Sequence, residues 1–157
     1  MFPVLRPILN KGGAGNYISR EESVDRLVPV VADQLGLLRD YDYVAKRLDA
    51  PAVRQRFEEV VLPNVRTELN KLYETIFSLG GSAPTGADMD WSASGLDGND
   101  TDSLKTLLER DRAFGDRLRD EVEAVHHQER TRAILGHNAD KSNDRLNMLR
   151  ALLADLG

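Results

Sequence analysis

The sequence predicts an all-α fold of four helices, arranged as two antiparallel hairpins joined by a long crossover. Apolar residues recur at gaps of three and four along four stretches, the period of a helix with one buried face. Almost nothing separates the first stretch from the second, or the third from the fourth, so each pair reads as a hairpin. Between the second and third lie more than twenty residues rich in Gly, Ser, Asp and Thr.

Of the 157 residues, 41% are hydrophobic and 30% charged, which supplies one sizeable core in one ordinary domain. There is no cysteine, so disulfides, thiolate metal sites and a cysteine nucleophile are excluded. A formal net charge of −5 argues against a nucleic-acid partner, because neutralising phosphates takes a basic surface. No apolar run approaches the ~20 residues of a membrane span.

Residues 1–20 read as an N-terminal arm and 21–157 as the bundle domain. In the arm, Pro3, Arg6 and Pro7 interrupt Phe2, Val4, Leu5, Ile8 and Leu9. That breaks any secretory-signal pattern and makes the cytoplasm the expected location. The first helix is expected over 23–48, capped by Ser23, with Leu27, Val30, Val31, Leu35, Leu38, Ala45 and Leu48 on its stripe. Pro29 either sits in its opening turn or kinks it. The second is expected over 50–79, capped by Asp49 and started by Pro51. Pro63 predicts a bend near residues 57–63, and Gly80-Gly81 ends the helix, since glycine accepts the left-handed conformation there. The third runs over 102–126, with Leu104, Leu107, Leu108, Phe114, Leu118, Val122 and Val125 on its stripe. A break at 126–128 leads into the fourth, over 128–155.

A 26-residue helix is roughly 39 Å long, and an extended link of more than twenty residues, at about 3.3 Å each, crosses such a bundle end to end. One crossover between two hairpins is the ferritin-like arrangement. The text of Arg66 to Gly86, RTELNKLYETIFSLGGSAPTG, and the acidic-basic cluster Leu108 to Phe114, LERDRAF, resemble a bacterial, stress-associated branch of the ferritin-like superfamily whose members are largely uncharacterised. The resemblance spans roughly Val24 to Leu153.

That resemblance raises the question of a di-metal centre, which asks for a Glu from each of two helices and a Glu-x-x-His from each of the other two. All three histidines, His126, His127 and His137, lie in the last third of the chain. Glu123-Ala124-Val125-His126 is the one literal match, and it falls at a helix end, so the full ligand pattern is absent. Polar residues nevertheless follow the apolar spacing: Gln34 and Tyr41, Asn64 and Glu68, Asp111, and the run His137, Asp140, Lys141 and Asp144. They predict a polar layer near mid-bundle, with Asp111 and Glu68 paired to Arg, Lys or Tyr, because an unpaired buried charge costs several kcal/mol or more.

The favoured function is therefore a non-enzymatic bundle without a cofactor, acting through assembly or partner binding. The alternative is a carboxylate-bridged oxidoreductase or store of iron or manganese, its metal held by Glu68, Asp111, His137 and Asp144. A third reading is a small-molecule binder using the polar middle of the bundle. A calcium loop at Asp88, Asp90, Ser92 and Asp97 fails for want of Gly at position six and Glu at position twelve. Trp91 instead reads as a pin holding the crossover to the bundle. No nucleophile elbow, P-loop or Rossmann glycine fingerprint occurs. The apolar arm, with Val24, Val28, Val44, Val60 and Leu62 beside the main stripes, predicts a homo-oligomer, a two-fold dimer first.

Overall fold

The computed structural model describes residues 19–87, 89–125 and 128–157. Nearly all of the predicted arm, Asp88 of the calcium reading, and His126 and His127 lie outside the described residues. Among those described there are four helical rods and no strand: α1 (Arg20–Ala45), α2 (51–78), α3 (Asp100–Ala124) and α4 (Glu129–Leu156).

α1 starts at Arg20 because Ser19 caps it, its side chain accepting from the Glu22 N–H at 3.1 Å, while Glu21 and Glu22 complement the dipole. Ser23, the expected cap, is instead fully buried inside the helix. Pro29 lies within α1 and the helix continues through it. The helix ends three residues before Leu48, which is buried in the turn that follows.

α2 is built from Pro51–Arg56, a π-helical turn Phe57–Val61, and Leu62–Ser78. Leu62 N–H bonds to the Phe57 carbonyl, five residues back, just where Pro63 removes the next donor. Asp49 does not cap this helix. The N-cap is Ala50, and the free N–H groups of Asp49 and Ala50 donate to the Asp100 carboxylate at 2.9–3.1 Å. A side chain from the start of α3 thus ties down the two residues that lead into α2, while no side chain caps the helix itself. At the other end Gly80, with φ at +84°, and Gly81 close the helix through bonds to the Phe77 and Ile76 carbonyls. α3 begins at Asp100, one to two residues early, since Asn99 caps the Asp102 N–H at 2.8 Å.

α1 packs on α2 and α3, and α4 packs on α3 and α2. Along α1 and α3 the contacts pair Arg26 with Glu121, Asp33 with Arg117 and Asp40 with Arg110, and in the turn beyond α1 Asp49 meets Asp100, so the partner number falls as the other rises. α2 and α4 do the same through Asn64 with Arg145 and Lys71 with His137. One continuous core holds Leu27, Val31, Phe57, Val65, Leu72, Leu107, Leu118, Leu135 and Leu149, each fully burying an apolar side chain worth about 1.5–3 kcal/mol. Val44 and Leu62, expected to widen the outer apolar surface, are buried in this same core. No helix among the described residues is long and apolar enough to cross a membrane.

The crossover is tied down along its length. Tyr73 donates to the Pro84 carbonyl at 2.9 Å, Arg39 to that of Gly86 at 2.7 Å, and Ser103 to that of Leu96 at 3.2 Å. Trp91 packs against the Tyr43 ring at 5.3 Å and donates Nε1–H to Asp40 at 2.8 Å, so it does pin the loop to α1. Leu96, unremarked in a polar stretch, is buried under the loop.

Candidate functional site

The polar residues on the stripes meet in the bundle interior at two levels. Tyr41 follows Gln34 by seven residues, and Arg145 follows Asn138 by seven, so the levels lie two turns apart, roughly 10 Å. At the first level, Asn138 donates to Gln34 Oε1 at 2.8 Å and Gln34 to the Val65 carbonyl at 3.3 Å. At the second, Asp111 on α3 faces Arg145 on α4, both 0% exposed.

Asp111 is fully occupied. Arg145 grips it with two parallel bonds, Nε to Oδ2 at 2.7 Å and Nη2 to Oδ1 at 3.0 Å. Ser142 Oγ donates to Oδ1 at 2.6 Å, and the Tyr41 hydroxyl donates to Oδ2. Four donors thus meet the roughly four lone-pair sites of a carboxylate. The remaining Arg145 nitrogen, Nη1, donates to Asn64 Oδ1 at 2.9 Å. Burial and then the neighbouring Asp111 charge hold the Tyr41 phenol well above its ordinary pKa of 10.0. Burial works against the Arg145 charge, but the combined pull of Asp111 and Tyr41 outweighs it and raises its pKa. Gly115 makes room for this cluster, because a Cβ there would sit 2.9 Å from Ser142 Oγ.

Glu68 and His137 form a second, separate cluster between α2 and α4. Glu68 is 2% exposed; its Oε2 pairs with Lys71 Nζ at 2.9 Å, and its Oε1 lies 3.3 Å from His137 Nε2 without a hydrogen bond. Lys71 Nζ also reaches His137 Nε2 at 2.8 Å. Of the four residues named for a metal, Glu68 and His137 come together, Asp111 belongs to the Arg145 cluster, and Asp144 stands half-exposed beside Lys141 at 3.7 Å. No group of three or more His, Asp or Glu positioned to hold a metal ion occurs among the described residues.

Sequence reasoning missed Arg145, Ser142 and Asn138. A signal was present: Thr131, Asn138, Arg145 and Leu152 share one seven-residue spacing, as do Leu135, Ser142 and Leu149, and all seven are buried. The polar members occupy positions that leucine holds one or two turns away.

On the outside, α1, α3 and the crossover enclose an open groove of about 680 Å³. Gly36, Leu37, Met89, Trp91 and Phe114 supply its apolar surface. Asp33 pairs with Arg117, and Asp40 with Arg110 at 2.8 Å, along its sides. Burial pushes both carboxyls above the usual 3.8, against the pull of Arg117 on Asp33 and of Trp91 and Arg110 on Asp40. Compared with known proteins, the chain matches no protein-family model and no curated protein.

Proposed function

We propose that this chain is a ferritin-like bundle of two antiparallel hairpins that works without a bound metal, through assembly or by binding a partner. The observation that carries this reading is the state of Asp111 and Glu68, the two most deeply buried carboxylates among the described residues. Every lone pair of Asp111 receives a donor from the chain itself, and Arg145 neutralises its charge. Lys71 neutralises Glu68 in the same way. Internal cations thus stand where a di-metal bundle would need ions. The falling partner numbers along α1–α3 and α2–α4 support the crossover, because these pairs would run parallel in an up-down-up-down bundle. Assembly as a homo-oligomer, a dimer first, is supported by Phe77, 62% exposed on α2, with Val60 also exposed. The cytoplasm remains the proposed location.

One observation favours the competing reading of an iron or manganese oxidoreductase or store. Glu68 Oε1 is buried without a hydrogen bond and faces His137 Nε2, so displacing Lys71 would offer a metal one carboxylate and one imidazole. Elemental analysis of protein purified without chelator separates the two. The expected result is less than stoichiometric iron and manganese after dialysis, in a particle whose scattering mass is twice the monomer. Stoichiometric metal that survives dialysis and falls away in Glu68→Gln would replace the first reading with the second.

A further inference from the structure

We propose that the groove between α1, α3 and the crossover binds a small organic cation, an ammonium group carried on an apolar or aromatic body. The groove shares no residue with the buried clusters, so this assignment and the proposed function fail separately.

The floor is open where packing does not require it to be. Gly36 lies in the middle of α1, where glycine costs about 0.5–1 kcal/mol relative to alanine. A Cβ at Gly36 would meet only Met89 Sδ, at an ordinary 3.9 Å. Gly36 therefore leaves the helix backbone open to a ligand lying in the groove. Gly115 is the contrast, since Ser142 fills the space beside it. The volume of about 680 Å³ falls within the usual range for small-molecule sites.

Charge selects the ligand. Three carboxylates, Asp33, Asp40 and Asp90, line the groove against two guanidinium groups, and both arginines are already committed, Arg117 to Asp33 and Arg110 to Asp40. Asp90 makes no hydrogen bond or ion pair with a described residue. Asp40, 7% exposed, accepts from Trp91 and Arg110 through the same Oδ1 and leaves Oδ2 without either bond. An excess negative charge beside the Trp91 and Phe114 rings suits an ammonium ion, which carboxylates and aromatic faces attract together. A carboxylate ligand would meet paired arginines and an aspartate that has no partner among the described residues.

Trp91 is the sole tryptophan, so its emission, excited where phenyl probes do not absorb, reports on the groove alone. Three probes of one shape but different charge are titrated: phenethylamine, 2-phenylethanol and phenylacetate. The expected result is saturable emission change with phenethylamine, at least about ten-fold tighter than with the other two. Asp90→Asn should weaken that binding several-fold. Glu74→Gln, which removes the same charge from an exposed site outside the groove, should leave it unchanged. Equal response to all three probes, no saturable response to phenethylamine, or equal weakening by Glu74→Gln would overturn the proposal. Unchanged far-ultraviolet circular dichroism of both variants confirms that they are folded.

Discussion

α3 carries two aspartate–arginine pairs of the same chemistry in opposite surroundings. Arg117 reaches out to Asp33 on α1 along the groove, and their side chains are 43% and 39% exposed. Asp111, six residues earlier, turns inward to Arg145, and both are 0% exposed. The outer pair is only partly buried and keeps water on one side, so forming it changes little and salt screens it. The inner pair has left water altogether, and its stability depends on Ser142, Tyr41 and Asn64 filling the hydrogen-bonding positions the ion pair leaves over. Burial decides what an Asp–Arg pair does: outside it lines a groove, inside it sets how four helices meet.

Removing one inner partner should break this contrast most visibly. Asp111→Ala leaves the Arg145 charge buried and unpaired, and we expect a loss of about 3–5 kcal/mol in denaturant unfolding. Adding Arg145→Met to Asp111→Leu should restore part of it, because no charge then remains in the core. A single-variant loss of under about 1 kcal/mol would mean that the pair is hydrated like the outer one.

A smaller effect sharpens the same point through pH. The Tyr41 pKa is raised well above 10.0 by burial and by Asp111, so the folded chain keeps a proton that the unfolded chain releases above pH 10. The stability this group contributes is complete below pH 10 and declines as pH rises beyond it, by up to about 1.4 kcal/mol per unit. Tyr41→Phe should be less stable at pH 7, losing one hydrogen bond, yet flatter between pH 10 and 11. Parallel alkaline limbs for the two proteins would place the phenol in water. The smallest effect belongs to the outer pair: Asp33→Asn should change stability by no more than about 0.2–1 kcal/mol, and added salt should shrink the difference further.

Where the sequence reading succeeded, the cause was local. Pro51 starts a helix because its ring presets φ and lacks an N–H, and Gly80-Gly81 ends one because it accepts a positive φ. Pro63 marked its interruption in advance for the same kind of reason, and the π turn sits beside it. The apolar stripes are likewise visible to any reader who counts by threes and fours. Asp111 and Glu68 stood out as carboxylates on buried faces, and so the need for partners was legible.

The identity of those partners was not. Arg145 reads locally as one more charge on a charged helix, and only Asp111, 34 residues away, makes its burial tolerable. Ser23 and Ser19 are both fair caps by type; the interior claimed Ser23, and Ser19 was left at the helix start. The start of α2 has no side-chain cap, and the Asp100 carboxylate reaches across from α3 to hold the N–H groups of Asp49 and Ala50 just before it. Helix positions, turns and buried faces follow from each residue's own backbone preferences and polarity. Which charge neutralises which, and where the surface opens into a groove, depend on residues far apart in the chain that only the packed bundle brings within hydrogen-bonding distance.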